Sequence, residues 1–124
     1  MRVVVYENTM DRAKLIRDLL STYRYKTYIN TDRQISLNSI KDIKPSLMII
    51  NVDNPSHMEL LDKIQQNSQF NQIPVILISN VNSSGVLRKY NQLNHVDFLV
   101  EPFKIKNFRH MVERWITFRS VYVN

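Results

Sequence analysis

Two apolar runs, SLMIINV at 46–52 and PVILIS at 74–79, constrain the fold of this chain most. A strand with one wet face alternates apolar and polar residues, whereas a strand covered on both faces need not. Neither run alternates, so each predicts a strand buried between two layers. Shorter runs, RVVVY (2–6), YKTYI (25–29) and VDFLV (96–100), predict three more strands. Segments of helical spacing follow each strand. They carry Ala13, Ile16, Leu20 and Tyr23 in 10–23, Ile35, Ile40 and Ile43 in 33–43, and Met58, Leu61 and Ile64 in 56–67, with Ser56 as the expected N-cap. The last two carry Val86, Leu87, Tyr90 and Leu93 in 83–93, then Ile105, Phe108, Val112 and Trp115 in 104–120. Five strand-helix pairs in alternation imply a doubly wound α/β fold with one five-stranded parallel sheet, forming a single domain over 1–124.

Composition narrows the function classes. The chain has no cysteine, which removes disulfides, thiolate nucleophiles and thiolate metal sites. No apolar run approaches the roughly 18 residues of a membrane span, and MRVVVYEN lacks a signal-peptide core, so a cytoplasmic location without a membrane partner is expected. A single glycine in 124 residues leaves the turns to Asn, Asp and Ser. The net charge of +6 is spread along the chain, with no Lys/Arg-rich run to mark a nucleic-acid site.

Sheets of this kind bind ligands beyond the carboxyl ends of their strands. The residues there are Glu7 and Asn8, Asn51, Ser79, and Glu101 beside Pro102. The stretches RVVVYEN, PSLMIINVDNP, IPVILISN and VDFLVEPF together resemble the receiver domains of bacterial two-component response regulators, over the whole chain. The resemblance implies a flavodoxin-like sheet of order 2-1-3-4-5. It also implies a site of phosphoryl transfer, with an acidic pair after strand one, a phosphoacceptor Asp after strand three, Ser or Thr after strand four and Lys-Pro after strand five. Three carboxylates there hold Mg²⁺.

Pro45, Leu47 and Pro55 align with the family when Asn51, not Asp53, takes the phosphoacceptor position. Glu7 and Asn8 then stand for the acidic pair, Ser79 for the hydroxyl, Phe98 for the aromatic partner of Ser79 in switching, and Glu101 for the lysine. An amide cannot form an acyl phosphate, and Glu101 reverses the lysine's charge. The resemblance thus implies an atypical, degenerate phosphorylation site with no catalytic residue, no metal and no Mg²⁺ cofactor. Amides of Asn8 and Asn51 are expected to satisfy Glu101 in a metal-free plug. The alternatives are phosphorylation at Asp53 and a basic nucleic-acid-binding regulatory domain. An enzyme is not expected: no nucleophile-base pair or phosphate-cradling glycine loop is present. His57, His95 and His110 lack metal-ligand spacing and read as surface or loop residues. Asn94 stands where the family has a glycine before strand five, and is expected to take the left-handed turn.

From residue 83 on, seven Lys/Arg face three Asp/Glu, with surplus apolar residues on the last helix. The resemblance implies a contact surface on helix four, strand five and helix five, for a protein partner or a second copy. The residues expected to form it are Arg88, Tyr90, Phe98, Lys104, Met111, Trp115 and Phe118. Nucleic acid would be reached through a fused or partner domain.

Overall fold

A computed structural model describes residues 1–32, 36–80 and 84–122, with side chains described as far as Trp115 apart from Ser84. The elements run β1 (Arg2–Tyr6), α1 (Met10–Leu20), β2 (Lys26–Asn30), α2 (Leu37–Ile43), β3 (Leu47–Asn51), α3 (Pro55–Gln66), β4 (Val75–Ser79), α4 (Ser84–Tyr90), β5 (Val96–Val100) and α5 (Ile105–Tyr122). The strands form one parallel sheet of order β2-β1-β3-β4-β5.

The absence of alternation in β3 and β4 has a direct cause: all five residues of each are buried. Val4, Tyr6, Met48, Ile50, Val75 and Leu77 pack with Ile40, Leu60, Leu61, Ile64 and Tyr90 of α2, α3 and α4. Val3, Val5, Leu47, Ile49, Ile76 and Ile78 pack instead with Ile16, Leu19 and Leu20 of α1 and Phe108, Val112 and Trp115 of α5. Each fully buried aliphatic side chain contributes roughly 1.5–3 kcal/mol, so these two clusters supply most of the driving force.

Several local expectations change. Asn54, not Ser56, caps α3: its side chain accepts from the Ser56 N–H at 2.9 Å, and Pro55 fills the first helical position, where no N–H is needed. α1 stops at Leu20, so Tyr23 sits in the following turn, stacked on Tyr25 and donating to Glu113 of α5. The left-handed residue among those described is Lys44 (φ 54°), which closes α2 ahead of Pro45; Asn94 is not left-handed. Ile105, the first residue of α5, is 51% exposed and stands outside the core stripe. Ile35 lies outside the described residues.

α4 is tied to α3 through Asp62, whose carboxylate accepts from the Tyr90 hydroxyl and pairs with Lys89 at 2.8 Å. Burial, then the Asp62 carboxylate, raises the Tyr90 phenol above its ordinary range. Tyr90→Phe is expected to cost about 1–2 kcal/mol in denaturant unfolding, since it removes a charge-assisted bond while keeping the ring. No measurable cost would mean that Lys89 alone satisfies Asp62.

Candidate functional site

Parallel strands end on the same edge, and the register decides which residues meet there. Tyr6 lies opposite Ile50, Asn51 opposite Ile78, and Ser79 opposite Val100. Glu7, Asn51, Ser79 and Glu101 therefore form a row along the carboxyl edge, while Asp53 is exposed in the loop beyond. The Glu101 N–H donates to the Ser79 carbonyl at 2.7 Å, which carries the β4–β5 pairing past the strand ends, and the Glu101–Pro102 peptide is cis.

Glu7 is the centre of the row and is 1% exposed. Its Oε1 accepts from the Asn8 backbone N–H at 2.8 Å, Arg12 Nε at 3.2 Å and Asn51 Nδ2 at 3.0 Å. Its Oε2 accepts from Asn51 Nδ2 at 3.2 Å. The orientation of the Asn51 amide follows from its other end, where Oδ1 accepts from the Asp53 N–H at 3.0 Å and turns the nitrogen toward Glu7. A buried carboxylate needs such donors, because leaving its charge unpaired would cost several kcal/mol.

Arg12 completes the arrangement. It lies on α1 one turn past Thr9, whose hydroxyl caps the helix by accepting from the Arg12 N–H. Its guanidinium bridges the two acids, Nε to Glu7 and Nη2 to Glu101. The fork reaches both carboxylates at once, which a lysine ammonium does less well. Glu101 is thus satisfied by Arg12 and not by the expected amides. Asn51 spends its donor on Glu7, and Asn8 is exposed and contributes its backbone N–H. With Arg12 included, the two acids and one cation leave a net charge of −1 at the strand mouths. A cleft of ≈ 570 Å³ opens beside this bridge, between Leu15, Ile16 and Leu19 of α1 and Pro102, Phe103 and Ile105.

Asp53 joins two loops, its Oδ1 accepting from the Asn80 N–H at 3.3 Å. Ser79 is buried. Phe98 is half-buried against the cluster that holds Tyr90. His57, read as a surface residue, is 0% exposed, its Nδ1 lying 2.6 Å from the Asn51 carbonyl. Two residues expected on the contact surface are core residues instead. Tyr90 is 3% exposed, and Trp115, at 6%, donates Nε1–H to Asp97. A ring that fills the sheet-helix interface and bonds a neighbouring acid is not available to a partner. Arg88, Lys104 and Met111 remain exposed or half-buried, whereas the Phe118 side chain lies outside the described residues.

No protein-family model matches the chain. The sensor histidine kinase TmoS of Ectopseudomonas mendocina is 28% identical over 120 residues, covering 95% of this chain and 12% of that protein. The two-component response regulator ARR7 of Arabidopsis thaliana is 26% identical over 86 residues, 68% of this chain and 42% of its own length. The rice (Oryza sativa subsp. indica) response regulator ORR3 is 26% identical over 117 residues, 92% of this chain and 88% of its length. This chain therefore spans less than half of the first two relatives. Among solved structures, a response regulator receiver domain protein from Clostridium thermocellum matches 97% of both chains at a TM-score of 0.81 and 13% identity. The chemotaxis protein CheY4 of Vibrio cholerae matches 91% of this chain and 96% of its own at 0.77 and 16%. Those two structures share the fold found here, and the sequence relatives are two-component proteins: the chain has the fold of CheY-like receivers and is similar in sequence, at 26–28% identity, to two-component signalling proteins.

Proposed function

We propose that this receiver is a phosphorylation-independent binding module rather than an enzyme, in which an internal cation does the work that metal and lysine do in the family. The observation that carries this reading is the Arg12 bridge between Glu7 and Glu101. The residues present do not fit Mg²⁺. Both Glu7 oxygens already accept hydrogen bonds, the Asn51 group facing Glu7 is a donor, and no cluster of three His, Asp or Glu suited to a metal occurs among the described residues. The position of the nucleophile holds an amide. Without phosphorylation to shift it, the site favours one arrangement of the loops around it.

The contact surface assigned to the module is α4, β5 and α5. A cleft of ≈ 450 Å³ there is lined by Phe98, Val100, Lys104, His110 and Met111, an apolar floor with basic and polar edges that suits a protein partner or a second copy. A cytoplasmic setting fits this role, and no helix among the described residues is long and apolar enough to cross a membrane.

The test is incubation with a small phosphodonor and Mg²⁺, followed by intact-mass measurement, alongside Mg²⁺ calorimetry. Unchanged mass and no metal heat are expected. One added phosphoryl group, mapped to Asp53, would replace this reading with that of a conventional receiver using a displaced site.

A further inference from the structure

Below the row of site residues lies a group that phosphoryl chemistry does not use. His57 stands in the first turn of α3, fully buried, in phase with Leu60, Leu61 and Ile64. Its Nδ1 sits 2.6 Å from the backbone carbonyl of Asn51, an acceptor with no hydrogen of its own, so Nδ1 carries the proton and donates. The opposite nitrogen, Nε2, is buried without a hydrogen-bond partner. The ring meets Tyr6 of β1 edge-on, centroids 6.2 Å apart.

We infer that His57 is a proton-responsive support for the site: neutral, it packs in the core and anchors the end of β3 at Asn51, and protonated, it keeps the Nδ1 bond but brings a charge and a second N–H that the core disfavours, which loosens the packing beneath Asn51. A second proton can go only to Nε2, which would place an unsatisfied N–H and a full charge inside the sheet-helix interface. The residue it supports is the one whose amide holds Glu7, so a disturbance of that packing reaches the Glu7–Arg12 bridge through Asn51. The titratable groups that bear on the ring are Tyr6 of β1 and Glu7 just beyond that strand. Glu7 attracts the cation and opposes the effect, while the Tyr6 phenol, itself pushed up by burial, stays neutral. Burial outweighs Glu7 and the Asn51 bond, and it lowers the His57 value from 6.5.

The sign follows. A histidine whose folded value is depressed leaves the unfolded chain holding more protons below 6.5, so stability is full above that pH and falls as the pH drops. For a site that stays unprotonated, the folded-to-unfolded ratio falls about tenfold by pH 5.5. His95 is lowered by burial too, so a bulk stability curve alone does not assign the effect.

The experiment is a residue-resolved titration of the full chain by NMR between pH 7.5 and 5, following the imidazole of His57 and the side-chain amide of Asn51. The expected result is a His57 midpoint below 6.5, with the Asn51 amide shifting at that same midpoint. His57→Asn, which keeps an N–H aimed at the carbonyl and cannot titrate, should abolish the Asn51 shift and remove part of the pH dependence of denaturant unfolding. An ordinary His57 midpoint near 6.5, or an Asn51 amide that does not follow it, overturns the inference. If His57→Asn fails to fold, the wild-type titration alone decides. Neither readout involves phosphorylation, so the outcome is separable from that of the phosphodonor test.

Discussion

Replacing Arg12 by alanine is expected to lower the stability of this domain by about 2 kcal/mol, seen as a Tm roughly 6–10 °C lower. Glu7 is 1% exposed and keeps only the Asn8 and Asn51 N–H donors once the guanidinium is gone, so a full negative charge remains buried without a counter-ion. The cost falls short of the roughly 3–5 kcal/mol of a fully buried broken pair because Arg12 itself is 41% exposed and water can enter the vacated space. Arg12→Lys should recover part of the loss, since one ammonium can neutralise Glu7 or Glu101 but cannot reproduce the fork. Arg17→Ala is the control: its contact with Asp18 spans 3.9 Å between exposed side chains, and at most about 0.5 kcal/mol is expected. If thermal or denaturant unfolding places Arg12→Ala beside that control, the internal-cation reading of the site is wrong.

Why Arg12 escapes a reading of the sequence is instructive. Helical phase places it on the outer side of α1, and its backbone does lie there. A long side chain in the first turn reaches back over the strand mouth, however, and the spacing of apolar residues carries no record of where a flexible charged side chain ends. The row itself was legible, because parallel strands must end together and unalternating runs reveal where they end. What could not be read was the pairing within the row, which rests on a single fact of orientation: Asp53 N–H takes the Asn51 oxygen and so commits the Asn51 nitrogen to Glu7.

His57 is a different case, since a signal was present. Positions 57, 60, 61 and 64 repeat at helical spacing, and a polar residue in phase with three leucine or isoleucine residues belongs to the core. Met58, one position on and partly buried against the same cluster, competes for the stripe, and with it in phase the histidine falls outside. Tyr90 and Trp115 show the converse error. Both lie on the apolar phase of their helices and are buried, so the exposed residues on that face are those around them, Val100, Lys104 and His110.

Asn51→Asp introduces the residue type expected at this position in the receivers that the chain resembles and is nevertheless expected to weaken this protein, by about 3 kcal/mol at neutral pH. The substituted oxygen would face Glu7 at the distance now spanned by the 3.0 Å hydrogen bond, turning a donor-acceptor contact into a carboxylate pair in a buried setting. Arg12 cannot relieve both, because its fork is already divided between Glu7 and Glu101. A second substitution, Glu101→Lys, changes the balance by removing one competitor for Arg12 and adding a cation. The double variant should therefore be more stable than Asn51→Asp alone, by more than Glu101→Lys changes the parent, a coupling of about 1 kcal/mol or more in a double-mutant cycle read by denaturant unfolding. Additive effects would show that positions 51 and 101 do not communicate. Coupling of the expected sign would mean that amide and acid form a matched set, in which reverting one member alone is worse than keeping both.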